Sequence, residues 1–332
     1  MKQKTFLRVF VRYARFTAIF AAVMICLAPA SFAGEAEVLT VLDTESGLSG
    51  NRIHGLAPDL GFGVFIATNG GLHVFSDYVY LPIFQRQEAF MITGGAGGTL
   101  WALIEEPYLY RVRTDDEMWY TERMTRPERA TTVTALASLE DTLFIATDTG
   151  LFYMSDAEDS YHPVLTDTGP VTAMTFADDG TLALATTDAE SGKAGLVILG
   201  GELFGRIGRV QEFPDHEITS LFLTPDVLFA GTSDGELFRI DRMDISHIYL
   251  SPNVLRALSP GRINDIMIDE GRLYVAAEHG LYIGDADADN IDIAVCEDAP
   301  LEGEFTCLAP GPGLAVWAGT KDNGVYLLTY RD

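Results

Sequence analysis

Cysteine, tryptophan and positive charge are all scarce in this chain of 332 residues: three Cys, three Trp and 22 Lys and Arg against 48 Asp and Glu. Each scarcity closes a route. Cys26 lies in an N-terminal apolar stretch, so only Cys296 and Cys307 remain, too few for a disulfide-built scaffold. There is no CxxC pair, and the six histidines (His54, His73, His162, His216, His247 and His279) share no metal-ligand spacing. An acidic chain of formal net charge −26 repels phosphates and anionic headgroups, which argues against nucleic acid or membrane surfaces as partners. No apolar run reaches the roughly 20 residues that a membrane-spanning helix needs. A nucleophile elbow, a phosphate-cradling glycine loop and a glycosidase-like carboxylate pair are also missing. No cofactor is expected.

What is present begins with an address. Lys2, Lys4, Arg8, Arg12 and Arg15 precede a short apolar stretch from Phe16 to Leu27, and Ser31-Phe32-Ala33 supplies small residues for cleavage. This is the order of a secretory signal peptide spanning residues 1–33. Removing it takes away five of the 22 basic residues and none of the 48 acidic ones, so the mature chain carries −31. The expected location is periplasmic or secreted, with no membrane insertion once the leader is gone.

The remaining residues, 34–332, repeat one phrase seven times with a period of about 40. Its clearest copy runs from Gly47 to Phe75, and others occupy Val133–Met154, Ile218–Ile240 and Ile263–Gly284. First strands are expected near Ile53, Phe90, Val133, Val171, Ile218, Ile263 and Phe305, with apolar and polar residues alternating as they do when one face packs. Second strands read Val64-Phe65-Ile66-Ala67-Thr68, Leu143-Phe144-Ile145-Ala146-Thr147 or Leu228-Phe229-Ala230-Gly231-Thr232. A glycine follows at Gly70, Gly150, Gly235, Gly280 and Gly324, where a tight turn requires positive φ. Short strands at this period predict an all-β chain, a seven-bladed β-propeller of four-stranded blades. The seventh copy has room for three strands only, while Glu37–Leu42 is an orphan strand before the first. Pairing the two closes the ring within a single domain.

The pattern Gly47-Leu48-Ser49-Gly50-Asn51-Arg52-Ile53, then Asp59, then Val64-Phe65-Ile66-Ala67-Thr68 and Gly71-Leu72, resembles the two-component-regulator propeller repeat. Only the first copy matches closely; the others keep the Thr-x-x-Gly-Leu portion or less. The resemblance implies a seven-bladed propeller with an extracytoplasmic sensory or binding role. Members often precede a membrane span and a histidine kinase. Neither is found in this sequence, so any signal is expected to pass to another protein.

Candidate sites fall where the copies differ. The longest predicted loops, Thr121–Ala130, Gly208–Glu217 and Ser251–Arg262, carry Arg123, Arg126, Arg129, Arg209, Arg256 and Arg262. Concentrated arginine on an acidic protein suits a carboxylate or phosphate ligand; the alternative is pairing with the acidic residues of the same loops. His54 aligns with Thr134, Thr172, Thr219, Asn264 and Thr306, a set expected to line the axial channel. Gly284–Asn290 alternates carboxylates like a calcium loop but lacks its glycine and closing glutamate, so a polar turn is the simpler reading. Cys296 and Cys307 are candidates for a disulfide in an oxidising compartment, although the alignment sets them on different strands. Three function classes remain: a non-enzymatic module binding a small molecule or an envelope protein, a hydrolase or lyase working at the channel mouth through His54, and a structural part of an envelope assembly.

Overall fold

A computed structural model describes residues 35–331, less the connecting segments 59–62, 77–78, 106–107, 116–117, 126, 128–129, 156–159, 167–168, 188–193, 201–206, 214–215, 242–243, 251–260, 288–289 and 297–298. The proposed leader, 1–33, lies outside the described residues. From Ala36 to Tyr330 the chain forms seven four-stranded antiparallel blades. Their inner strands are Ile53–Pro58, Ala89–Gly94, Val133–Leu139, Val171–Phe176, Ile218–Leu223, Ile263–Asp269 and Phe305–Pro310. Each packs beside the next, and the seventh packs beside the first.

Blade 7 closes as the strand count requires. Its order from the axis outward is Phe305–Pro310, Ala315–Thr320, Val325–Arg331 and finally Glu35–Leu42. The last strand shows why it belongs there. Ala36 and Leu42 are buried and Val38 packs beside them, whereas Glu37, Leu39 and Val41 face out. Period two divides the strand into an inward and an outward face.

Second strands read as continuous apolar runs because they are buried on both faces. In blade 1, Phe65 and Ala67 pack against blade 2, while Val64 and Ile66 pack against blade 7. The seven apolar clusters are accordingly the seven blade-to-blade seams, each drawing on two neighbouring blades. Large rings bridge them: Phe144 of blade 3 lies 4.8 Å from Phe176 of blade 4, and Phe65 of blade 1 lies edge-on to Trp119 of blade 2.

The threonine that ends so many second strands ties the following turn. Thr147 Oγ1 donates to Gly150 O at 2.9 Å and accepts from Thr149 N at 3.1 Å. Thr68 and Thr320 form the same clasp. The positive φ falls at Gly150, Gly235, Gly280 and Gly324 as expected, but in the Asn69-Gly70-Gly71 turn it belongs to Gly71 and not to Gly70. At Gly150 a Cβ would also stand 2.2 Å from Leu165 O.

Two loops expected from the sequence are in fact outer strands. Met118–Met124 and Ile207–Phe213 both pair into their blades, so Thr121–Met124 and Gly208–Phe213 are ladder rather than loop. Blades 5 and 6 are additionally joined at their outer edges, where Tyr249 and Leu250 pair in parallel with Asn290 and Ile291.

Candidate functional site

All seven inner strands carry a β-bulge at the same place, between their first and third residues. The residue between, released from the ladder, is His54, Phe90, Thr134, Thr172, Thr219, Asn264 or Thr306 in blade order. In five blades its side chain reaches across the seam to a carbonyl on the next inner strand. Thr134 donates to Val171 O, Thr172 to Ile218 O (2.8 Å) and Thr219 to Ile263 O (2.5 Å). Asn264 donates to Phe305 O (2.8 Å), and Thr306 closes the circle onto Ile53 O (2.7 Å). The polar set read from the sequence as a channel lining is therefore a ring of inter-blade latches.

The ring is interrupted at two consecutive positions. Blade 1 has His54 where a latch belongs, and blade 2 has Phe90, which has no polar atom to donate. Blade 2 was mis-set by one residue in the sequence: Ala89, not Phe90, occupies the first seat of its inner strand, opposite Ile104. Ala89 O and Val133 O thus lack the donor that their five counterparts receive. The seam between blades 2 and 3 is tied elsewhere, by Ser138 Oγ to Gly94 O.

His54 turns instead toward Glu88, with Nε2 3.0 Å from Glu88 Oε1. Its side chain is 22% exposed and that of Glu88 39%. Burial pulls the imidazole below its ordinary pKa. Glu88 opposes this, and the charge of Arg52 adds to it, so His54 is neutral at pH 7. The Phe90 ring lies 5.9 Å from the imidazole.

The backbone around this sector is tied down. On the face where inner strands begin, every blade repeats one bond. The residue after the second strand donates its N–H to the carbonyl preceding the first: Asn69 to Arg52, Glu105 to Glu88, Asp148 to Thr132, Thr187 to Pro170, Ser233 to Glu217, Glu278 to Arg262 and Lys321 to Glu304. The frame is uniform, so the side chains at those positions are free to differ. Two non-glycine residues with positive φ, Arg86 (63°) and Glu105 (43°), flank Glu88 here. Such backbone costs on the order of 1 kcal/mol or more and collects at functional sites. Gln87 Nε2 donates to Glu105 Oε2 at 3.2 Å, and Lys321 is paired with Glu304 at 2.5 Å. Arg52 is exposed, and its guanidinium has no hydrogen bond or ion pair among the described residues.

Three of the six candidate arginines fall on described residues, each on a different blade. Arg123 lies on the outer strand of blade 2, its guanidinium 3.7 Å over the Tyr108 ring. Arg209 is on the outer strand of blade 4, opposite Val197. Arg262 precedes the inner strand of blade 6, where its N–H donates to Glu278 Oε2 at 3.3 Å. Arg126, Arg129 and Arg256 lie outside the described residues. Of the described candidates, His54 stands in the distinctive setting. Arg52, Glu88 and Phe90 were missed; the signal for them was the one copy absent from the polar alignment.

Cys296 and Cys307 are both free thiols. Cys307 is buried on the inner strand of blade 7, where desolvation pushes its pKa to about 12, while Cys296 sits in a short ribbon with Ala299 and Pro300. We expect one equivalent of iodoacetamide to label the native mature chain at Cys296, with Cys307 labelled only after denaturation. Peptide mapping that finds Cys307 modified in the native protein would contradict this burial. In the acidic turn after Gly284, Asp287 is engaged by Arg239 at 3.1 Å, and the described residues hold no group of three metal-ligating side chains.

One further pair has chemical interest. Ser49, exposed, places Oγ 2.6 Å from His73 Nε2, and its own N–H points at the same nitrogen at 3.2 Å. That assigns the lone pair to Nε2 and the hydrogen to Nδ1, which is buried with no acceptor. His73 is 2% exposed and held neutral by burial. A serine facing a base without an orienting acid is better suited to fastening the loop before blade 1 than to nucleophilic attack.

No family model and no curated protein sequence matches the chain. Among solved structures, the extracellular domain of a hybrid two-component system from B. thetaiotaomicron superposes with a TM-score of 0.66 at 17% identity, over 88% of this chain and 42% of that one. What they share is the propeller. The extracellular domain of a one-component system from the same organism gives 0.67 at 15% identity, over 88% and 39%. The chain spans about two-fifths of both. A YCF48 structure with a bound D1 peptide gives 0.64 at 14% identity, over 92% of this chain and 99% of that one.

Proposed function

We propose that this chain is an exported, non-enzymatic propeller that binds a ligand or partner in the manner of a sensor module, at the sector where blades 1 and 2 meet on the face that opens the inner strands. The observation that carries this reading is the double interruption of the latch ring. Five seams keep a hydrogen bond that the fold plainly accommodates, and two adjacent seams give it up for a neutral histidine beside a carboxylate and for a bare aromatic ring. Stability forgone at one place in a repeated architecture points to use of that place. The shared fold of the extracellular domains from B. thetaiotaomicron supports an extracytoplasmic binding role. A catalytic reading would rest on His54 beside Glu88, with no described nucleophile in contact with it, or on the Ser49–His73 pair, which lacks an orienting acid among the described residues.

The substitution His54→Thr tests the reading, because it offers blade 1 the hydroxyl that the other blades use. A latch to Ala89 O is worth about 1 kcal/mol, or roughly 2–4 °C in Tm for a domain of this size. The expected result is a variant that melts higher and loses whatever species native mass spectrometry finds on the wild-type protein purified from its own envelope. A variant no more stable than wild type, together with a wild-type protein that carries nothing, would overturn it.

A further inference from the structure

The interrupted sector also indicates what chemistry would fill it, an inference that rests on the binding reading above. Its described groups are unlike those of the other five seams. Ala89 O and Val133 O are acceptors on adjacent inner strands without the side-chain donor found elsewhere in the ring. Glu88 brings a carboxylate, 39% exposed, whose described contact is a histidine rather than a lysine or arginine. Phe90, partly buried against the seam between blades 2 and 3, brings an aromatic ring within 5.9 Å of the His54 imidazole that contacts Glu88. These are the requirements of an ammonium group, which has three donors and no acceptor and is attracted to an aromatic face. Arg52, two residues before His54 and close enough to depress its protonation, is a cation with no partner among the described residues. It stands between the His54 sector and the already neutralised Lys321–Glu304 pair.

We propose that the sector binds a small zwitterion of the amino-acid class, its ammonium seated among Glu88, Phe90 and the two unlatched carbonyls and its carboxylate held by Arg52. Glu88 and Arg52 then divide the recognition, one excluding simple carboxylates and the other simple amines. His54 already contacts Glu88 Oε1 at 3.0 Å, so the ammonium is assigned to the other carboxylate oxygen. The remaining acidic neighbour, Glu105, is engaged by Gln87 and reinforces the preference for a positive end.

Isothermal titration of the chain beginning at residue 34 tests the proposal, with L-alanine, L-leucine, L-phenylalanine and γ-aminobutyrate as zwitterions, putrescine as an amine without a carboxylate and succinate as a carboxylate without an amine. We expect at least one zwitterion to bind, and both Glu88→Gln and Arg52→Gln to weaken it at least tenfold while melting within a few degrees of wild type. Zwitterion binding that neither substitution weakens would overturn the assignment of residues. Binding of succinate or putrescine alone would overturn the ligand class while leaving a ligand site in place. No heat with any probe overturns the class as well, and the native mass measurement then decides separately whether the sector binds anything.

Discussion

A chain started at residue 44 instead of residue 34 is expected to lose its cooperative unfolding transition altogether. The segment removed is the outermost strand of blade 7, which buries Ala36, Val38 and Leu42 against the two seams that blade 7 makes with its neighbours. Burial of Leu42 stabilises the fold by about 1.5–3 kcal/mol, partly buried Val38 adds less, and the hydrogen-bonded ladder along Val325–Arg331 disappears with them. The sum is comparable to the net stability of an ordinary domain, about 5–15 kcal/mol. The truncation also leaves a long edge that invites pairing with other chains. Urea unfolding followed by tryptophan fluorescence, with size-exclusion chromatography, should show a broad transition and aggregates. A single sharp transition at nearly the parent's urea midpoint would mean that blade 7 stands with three strands and that closure contributes little.

The second large effect concerns Asp265, the residue after the latch in blade 6. One carboxylate oxygen accepts Ile266 N at 2.9 Å and the other accepts Leu308 N at 2.8 Å, across the seam to blade 7. Burial nonetheless outweighs these two bonds and raises its pKa from 3.8 to about 6. The folded state therefore holds this proton more tightly than the unfolded chain does. Its contribution to stability is complete below about pH 4 and is lost as pH rises through 6, a difference of about 3 kcal/mol at full size. Asp265→Asn removes the charge while keeping an oxygen for Leu308 N, although the amide cannot accept from both backbone donors. We expect the variant to be more stable than wild type by about 1–2 kcal/mol at pH 7.5 and to lose the decline between pH 4 and 7. Parallel denaturation curves at pH 5 and 7.5 measure both quantities. A variant that is weaker at pH 7.5 and keeps the wild-type pH slope would show that the carboxylate is needed as an ion.

Most of the fold could be read from the sequence because its determinants are local and repeated. Six alternating first strands among seven copies, a threonine clasp and a glycine at positive φ each leave a mark within a few residues, and the count of three strands in the last copy sufficed to predict closure by the orphan strand. The latches were visible only as an aligned column of small polar residues, since nothing in a sequence says that a bulge has turned that column toward the neighbouring blade. The same blindness displaced blade 2. Phe90 looks like the apolar residue that begins an inner strand, yet Ala89 takes that buried seat and Phe90 falls on the bulge. The elements that carry two of the candidate arginines were misread for a different reason. Arg123 and Arg209 seemed to share a face because their segments read as loops, but extension of the outer strands carries them to the rims of separate blades. Glu88 gave no signal, for its meaning depends on facing a histidine 34 positions earlier.

The latches run in one direction, each blade donating to the one made after it, except that Thr306 donates back to Ile53 across 253 positions. Every other latch of the ring can form while the chain is still being delivered, blade upon blade. This one waits for the final thirty residues, and bringing its ends together in an otherwise unfolded chain would cost on the order of 5 kcal/mol of loop entropy. The growing array meets that cost gradually, because each added blade curves the stack and brings the two ends nearer. The molecule is thus assembled as an arc and becomes a ring in a single late event.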